Sequence, residues 1–238
     1  MLSKSLVIPC LIVALLLVTS ISSQAAGTEA PMSSIRDLYV KHVKMKRKLV
    51  ALTFDDGPDP RYTPKIIEEL NKFGAKGTFF VIGMRAKRYP DLLKLEIANG
   101  DEIGNHSLNH RLTKLIQIED IEGCDQVVFD ATNHHTRLFR PPGGFISKQI
   151  LDSASKANET VVTWSWDEDS RDWSKPGVSK IVNRVLNHLH PGDIILFHDG
   201  GGKRDQTIEA LPKILEGIRE QGFQCVTVSE LIQNFGGT

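Results

Sequence analysis

Two histidines four residues apart, His106 and His110, and two adjacent carboxylates, Asp55-Asp56, have the types and spacing that chemistry needs. An i,i+4 imidazole pair shares one face of a helical turn and suits two ligands on one divalent ion. Side-by-side carboxylates repel, which favours a cation nearby or a shared proton. Two imidazoles and one carboxylate, with positions left for water and substrate, make a common hydrolytic metal pattern. Such a metal polarises a carbonyl and acidifies water; the reaction then needs a base for the water and an acid for the leaving group. The unused Asp of the pair and His198 are the candidates for those duties. The chain has no CxxC or Cys-His pattern, so any metal must be held by His and carboxylate.

These side chains need elements to position them. From Lys48 onward, short apolar runs alternate with amphipathic segments. Apolar runs predict strands over 49–54, 77–82, 102–105, 138–140, 160–166, 193–197 and 223–228. Helical patterns lie between them at 63–73, 90–99, 116–131, 147–157, 178–189 and 206–220. Alternation of this kind over one domain implies a parallel sheet, closed as a barrel or open and doubly wound. The polar signatures fall directly after strands: Asp55-Asp56, His106, Arg140, the stretch from Asp167 to Trp173, and His198. In a parallel barrel those strand ends share one face, so residues far apart in sequence converge there.

Composition narrows the classes. The chain has 238 residues with 29 Lys+Arg against 29 Asp+Glu, a balance that argues against a nucleic-acid binder. Its 40% hydrophobic content is too high for a disordered chain, and three cysteines are too few for a disulfide scaffold. Cys124 and Cys225 fall in helical and strand patterns and read as free thiols.

Five stretches carry a resemblance. Thr53-Phe54-Asp55-Asp56-Gly57-Pro58, His106-Ser107-Leu108-Asn109-His110, Arg140-Pro141-Pro142-Gly143, Asp169-Ser170-Arg171-Asp172-Trp173 and Leu196-Phe197-His198 stand in that order. They resemble the five motifs of the NodB-type polysaccharide deacetylases, carbohydrate esterase family 4, over about residues 48–232. The resemblance implies a distorted (β/α) barrel of about seven parallel strands and metal-dependent removal of acetyl groups from N-acetylated sugars. Carried onto this sequence, it makes Asp56, His106 and His110 the metal ligands, usually for Zn²⁺, with Co²⁺ or Mn²⁺ as possible occupants. Asp55 becomes the base for water, and Arg140 its partner. Gly143 stands where a backbone N–H holds the oxyanion. His198 becomes the acid for the leaving amine, supported by a carboxylate for which Asp172 is the first choice and Asp169 the second. Trp173 and Leu196 shape an apolar pocket beside the acetyl methyl. The family often has Tyr or Phe where this chain has Gly143, a departure that bears on the sugar groove rather than the reaction.

The expectation is therefore a monomeric, exported deacetylase acting on N-acetylglucosamine-type residues of peptidoglycan or chitin-like glycans. The same machinery on O-acetyl groups, or a non-catalytic carbohydrate-binding wall protein, are the alternatives; a binder would need neither Asp55 nor His198. Residues 1–26 read as a signal peptide, with Lys4 before an apolar run from Leu6 to Val18 and Ser23-Gln24-Ala25 as a cleavage site. That run is short of the ~20 residues that span a bilayer, and an uncleaved signal would anchor the protein to the membrane. Residues 27–47 read as a basic linker and 48–238 as the catalytic domain. Gly200-Gly201-Gly202-Lys203 lacks the Ser/Thr of a phosphate loop and reads as a loop on the catalytic face. Trp164 and Trp166, alternating on a predicted strand, are expected to pack in the barrel.

Overall fold

The computed structural model describes residues 39–234. The expected signal peptide, and most of the linker, lie outside the described residues. Strand β1 (Leu49–Gly57) is the spine, flanked by β2 (Gly77–Val81) and β6 (Ile194–His198). Beyond β2 come β3 (Glu102–Asn105), β4 (Leu138–Phe139) and β5 (Thr160–Val161), giving the order β5-β4-β3-β2-β1-β6, with every pairing parallel. A short β7 (Gln224–Cys225) pairs with the start of β1.

Period-2 alternation divides β1 between two cores. Val50, Leu52 and Phe54 pack outward with α1 (Thr63–Lys72) and α7 (Asp205–Glu220), where Ile66, Leu70, Leu211 and Ile214 are buried. Phe54 stacks between Phe79 and Phe197 at centroid distances of 5.1 and 5.7 Å, each ring contributing roughly 1.5–3 kcal/mol by burial. Leu49 and Ala51 point the other way, into the barrel, with Phe80, Leu138, Val162 and Ile194. By the same alternation Thr53 and Asp55 face the interior. Val228 and Leu231 of α8 (Val228–Gln233) fill the end of the barrel opposite the site, and the Val228 N–H donates to Thr78 Oγ1 at 2.9 Å.

The remaining helices are α2 (Gly83–Arg88), α3 (Pro90–Ala98), α4 (Ile118–Thr132), α5 (Lys148–Lys156) and α6 (Val178–Leu186). Regular pairing stops at β5 and β6, and the irregular segment 162–170 bridges the gap. The Ser165 N–H donates to the Ile194 carbonyl at 2.9 Å, and the Leu196 N–H to that of Glu168 at 3.0 Å. Val40 bridges Val162, and Val43 is buried, so the basic stretch before β1 lies along this seam with Lys41, Lys44 and Lys46 exposed.

Several expectations need correction. The strand expected over 160–166 is regular only at Thr160–Val161, because the chain leaves β4 there to reach β6. Trp164 packs against the interior, but Trp166 is 94% exposed on a turn closed by the Glu168 N–H to the Ser165 carbonyl. The strand expected over 223–228 ends at Cys225, since a capping box at Thr227 and Glu230 starts α8. Cys124 and Cys225 are both free thiols. Among the described residues, no helix is long and apolar enough to cross a membrane.

Candidate active site and metal centre

β1 does not stop at Phe54. It continues through Asp55, Asp56 and Gly57, with a register shift against β2 between Asp55 and Gly57. Asp56 sits at φ +72, and this left-handed bulge breaks the alternation that would send its carboxylate away from Asp55. Across the sheet Asp55 pairs with His198 of β6, and Thr53 with Leu196. The ladder also carries in the other two contributors. The His106 N–H donates to the Val81 carbonyl and the Arg140 N–H to the Asn105 carbonyl, each at 2.9 Å.

Residues 106–110 are not the expected helical turn. They form a loop in which Ser107 (φ +65) and His110 (φ +53) are left-handed, and that loop brings the two rings to 5.0 Å between centroids. Asp56 Oδ1 lies 3.0 Å from His110 Nε2 and 3.6 Å from His106 Nε2. One ligand atom from each of the three residues lies within 4.8 Å of the others. Ligands at ~2.1 Å in a tetrahedral zinc site stand roughly 3.4 Å apart, so the spacing fits a single ion. Tautomer chemistry agrees. His106 Nδ1 faces the Arg140 carbonyl at 2.7 Å and must donate to it, which leaves the Nε2 lone pair for a cation.

Arg140 is fully buried in the barrel interior. Its Nη1 donates to Asp55 Oδ1 at 2.7 Å and to Thr53 Oγ1 at 2.8 Å. Its Nη2 donates to the Thr163 carbonyl at 2.8 Å, and the guanidinium stands 4.0 Å from the Phe80 ring centre. The second Asp55 oxygen stays free of Arg140 and lies 3.8 Å from His106 Nε2. On the other flank, His198 Nδ1 is 2.8 Å from Asp172 Oδ1, while Asp172 Oδ2 accepts from the His198 N–H at 3.0 Å and from Thr207 Oγ1 at 2.7 Å. Asp169 instead accepts from the Arg171 N–H at 2.8 Å.

The electrostatics follow from burial and these bonds. Burial alone would raise Asp56, but the bond from His110 and the nearby His106 and His198 carry it well below the usual carboxylate range. Burial lowers His106, whereas the Asp56 bond raises His110. For His198, burial pulls down but the Asp172 bond and charge prevail, and its net shift is upward. Asp172 is correspondingly lowered, since burial loses to the bonds from His198 and Thr207.

Three other expected residues adjoin members of this set along the chain or across the sheet. Gly143 (φ +71) sits in the tight turn Pro142–Gly144 just after Arg140. A Cβ there would stand 3.0 Å from the Phe145 ring and 3.3 Å from Leu112. Trp173 is about half exposed beside Asp172, while Leu196 is buried next to Thr53. The run Gly200–Gly201 presses against the carbonyl and carboxylate of Asp56, where no side chain fits. Sequence reasoning missed Thr53, Thr207 and Asn105. Thr53 could have been found as a polar residue on the interior face of a strand, and Asn105 by the habit of Asn to bond the backbone two residues on.

Comparison with known proteins identifies the family. A family profile described as Polysaccharide deacetylase matches residues 42–162. The chain is 44% identical over 194 residues to a peptidoglycan-N-acetylglucosamine deacetylase of Bacillus cereus, covering 80% of this chain and 91% of that one. It is 36% identical to a chitooligosaccharide deacetylase of Sinorhizobium fredii, covering 73% and 87%. A crystal structure of a peptidoglycan N-acetylglucosamine deacetylase superposes with a TM-score of 0.80 at 30% identity, covering 86% of this chain and 97% of that one.

Proposed function

As this chain belongs to the polysaccharide deacetylase family, we propose that it is an exported, metal-dependent hydrolase of N-acetyl groups on N-acetylglucosamine-type residues. Peptidoglycan is the favoured glycan, on the strength of the 44% identical relative. The observation that carries the reading is the convergence of Asp56, His106 and His110 within 4.8 Å, with Asp55 and His198 adjacent across β1 and β6. Export is supported by the apolar run at residues 6–18 and its flanks. Residues 1–26 would then be the signal peptide, and the chain from about residue 48 the catalytic domain.

Asp56, His106 and His110 would hold the cation, with Zn²⁺ favoured by the two-imidazole, one-carboxylate set and Co²⁺ or Mn²⁺ able to replace it. When bound, the ion supplies Lewis acidity to the acetyl carbonyl and lowers the pKa of water at the site. Asp55 accepts the proton of the attacking water. Arg140 occupies one Asp55 oxygen and aims the other at the site. The Gly143 N–H donates to the oxyanion, a contribution that is large where such donors are fixed in advance. His198, raised by Asp172, gives its Nε2 proton to the departing amine as the C–N bond breaks. Trp173 and Leu196 are assigned to the acetyl side of the pocket. The test is mass analysis of defined peptidoglycan fragments after incubation, with and without a chelator. Loss of 42 Da per acetyl group, abolished by Asp55→Asn and by His198→Ala, is expected, roughly the 10²–10⁴-fold effect of a general base or acid; undiminished deacetylation in both variants would overturn the roles.

A further inference from the structure

Behind the His106–His110 loop lies a buried polar chain that the reaction itself does not use. Asn105, the last residue of β3, is fully buried. Its Oδ1 accepts from the Ser107 N–H at 2.9 Å. Its Nδ2 donates to the Ile121 carbonyl of α4 at 2.9 Å and to Glu159 Oε1 at 2.8 Å. Ser107 Oγ then accepts from the His110 N–H at 3.0 Å. Left-handed backbone is disfavoured for any residue with a Cβ, and this loop has it at both Ser107 and His110. Backbone bonds from Gly83 and Met84 and to Asp120 tie down Ser107 and Leu108, and the two side-chain bonds fix the N–H groups of the two left-handed residues themselves.

Glu159, just before β5, is 5% exposed. Its Oε1 is also 2.7 Å from Thr136 Oγ1, which lies 2.9 Å from Asp125 Oδ1. One hydroxyl hydrogen cannot serve two carboxylates at once, so Thr136 donates to one of them at a time. Burial pushes Glu159 up to about 8, toward the uncharged acid. In this place its carboxyl braces Asn105.

We propose that Asn105 and Glu159 are positioning residues that preset the His106–His110 loop, so that both Nε2 atoms meet Asp56 before a cation arrives. The inference rests on the metal reading above. A ligand set held in place loses less freedom on binding, so removing the brace should show as weaker metal affinity.

The test measures zinc affinity of the full chain by competition with a chromogenic chelator, together with the visible spectrum of the Co²⁺ form. Glu159→Ala and Asn105→Ala should bind zinc about 10–100-fold more weakly and alter the Co²⁺ spectrum, whereas Glu159→Gln, which keeps an uncharged acceptor for Asn105, should stay within about threefold. Folding is checked by circular dichroism; if Glu159→Ala does not fold, Asn105→Ala decides. A merely structural role would lower the melting temperature and leave zinc affinity alone. Unchanged affinity and spectrum in a folded alanine variant would overturn the inference while the deacetylase reading stands. An unaltered protein that binds no zinc would overturn both.

Discussion

Replacing Arg140 by Met asks whether ion pairing inside the barrel holds Asp55. The guanidinium is fully buried and bonded to Asp55, Thr53 and Thr163. Methionine keeps much of the volume but strands the Asp55 carboxylate, which is 4% exposed, without its cation. Breaking a buried pair from one side costs about 3–5 kcal/mol. In a domain of this size each kcal/mol moves the melting temperature by about 2–4 °C, so the midpoint should fall by about 6–20 °C. Adding Asp55→Asn removes the stranded charge and should return at least about half of that loss, because the two residues are in direct contact and their effects do not add. The assay is thermal unfolding of the metal-free single and double variants followed by circular dichroism. A double variant that melts no higher than Arg140→Met alone would refute the reasoning.

Three further outcomes are expected. Asp172→Asn should lower kcat by about 10²–10⁴-fold. Because Asp172 raises His198 and activity is lost as rising pH deprotonates it, the alkaline limb of the kcat profile should move to lower pH; an unmoved limb would count against Asp172. Gly200→Ala would drive a methyl into the Asp56 carbonyl and should cost about 1–3 kcal/mol of stability along with zinc affinity; calorimetry showing neither loss would contradict the packing. Burial pushes Glu168 up to about 9 from an ordinary 4.5, so the folded chain keeps a proton that the unfolded chain releases. That contribution is fully present below the unfolded value and is lost as pH rises toward 9, so Glu168→Gln should flatten the fall in urea-measured stability between about pH 5 and 9. Parallel curves for the two proteins would count against a buried neutral Glu168.

The parallel alternation was legible because strands buried on both faces read as apolar runs, as in 193–197 and 77–82. The end of β1 was not. Asp55-Asp56-Gly57 has the composition of a turn, yet Arg140, from 85 residues away, makes an interior strand position acceptable for Asp55. The His106–His110 spacing suggested a helix, and proximity came instead from two left-handed residues whose cause, Asn105, precedes the motif. Helix α2 has no apolar period to announce it, and α8 was overrun by the strand expected over 223–228, although Thr227 and Glu230 stand three residues apart at its start. The turn that exposes Trp166 depends on where β6 lies, which no local pattern records.

The bulge at Asp56 places the proposed base and one proposed ligand on either side of a single peptide bond. The distance between their Cα atoms is thus fixed by the joining peptide, and only the aim of the two carboxylates depends on the barrel around them. The imidazoles have no such guarantee, since they arrive from another strand through a loop braced by side chains. Gentle heating or mild denaturant should therefore shed the cation by letting the histidines wander while the two aspartates keep their spacing. Inactivation of that kind would be reversed by cooling with added metal, long before the sheet itself comes apart.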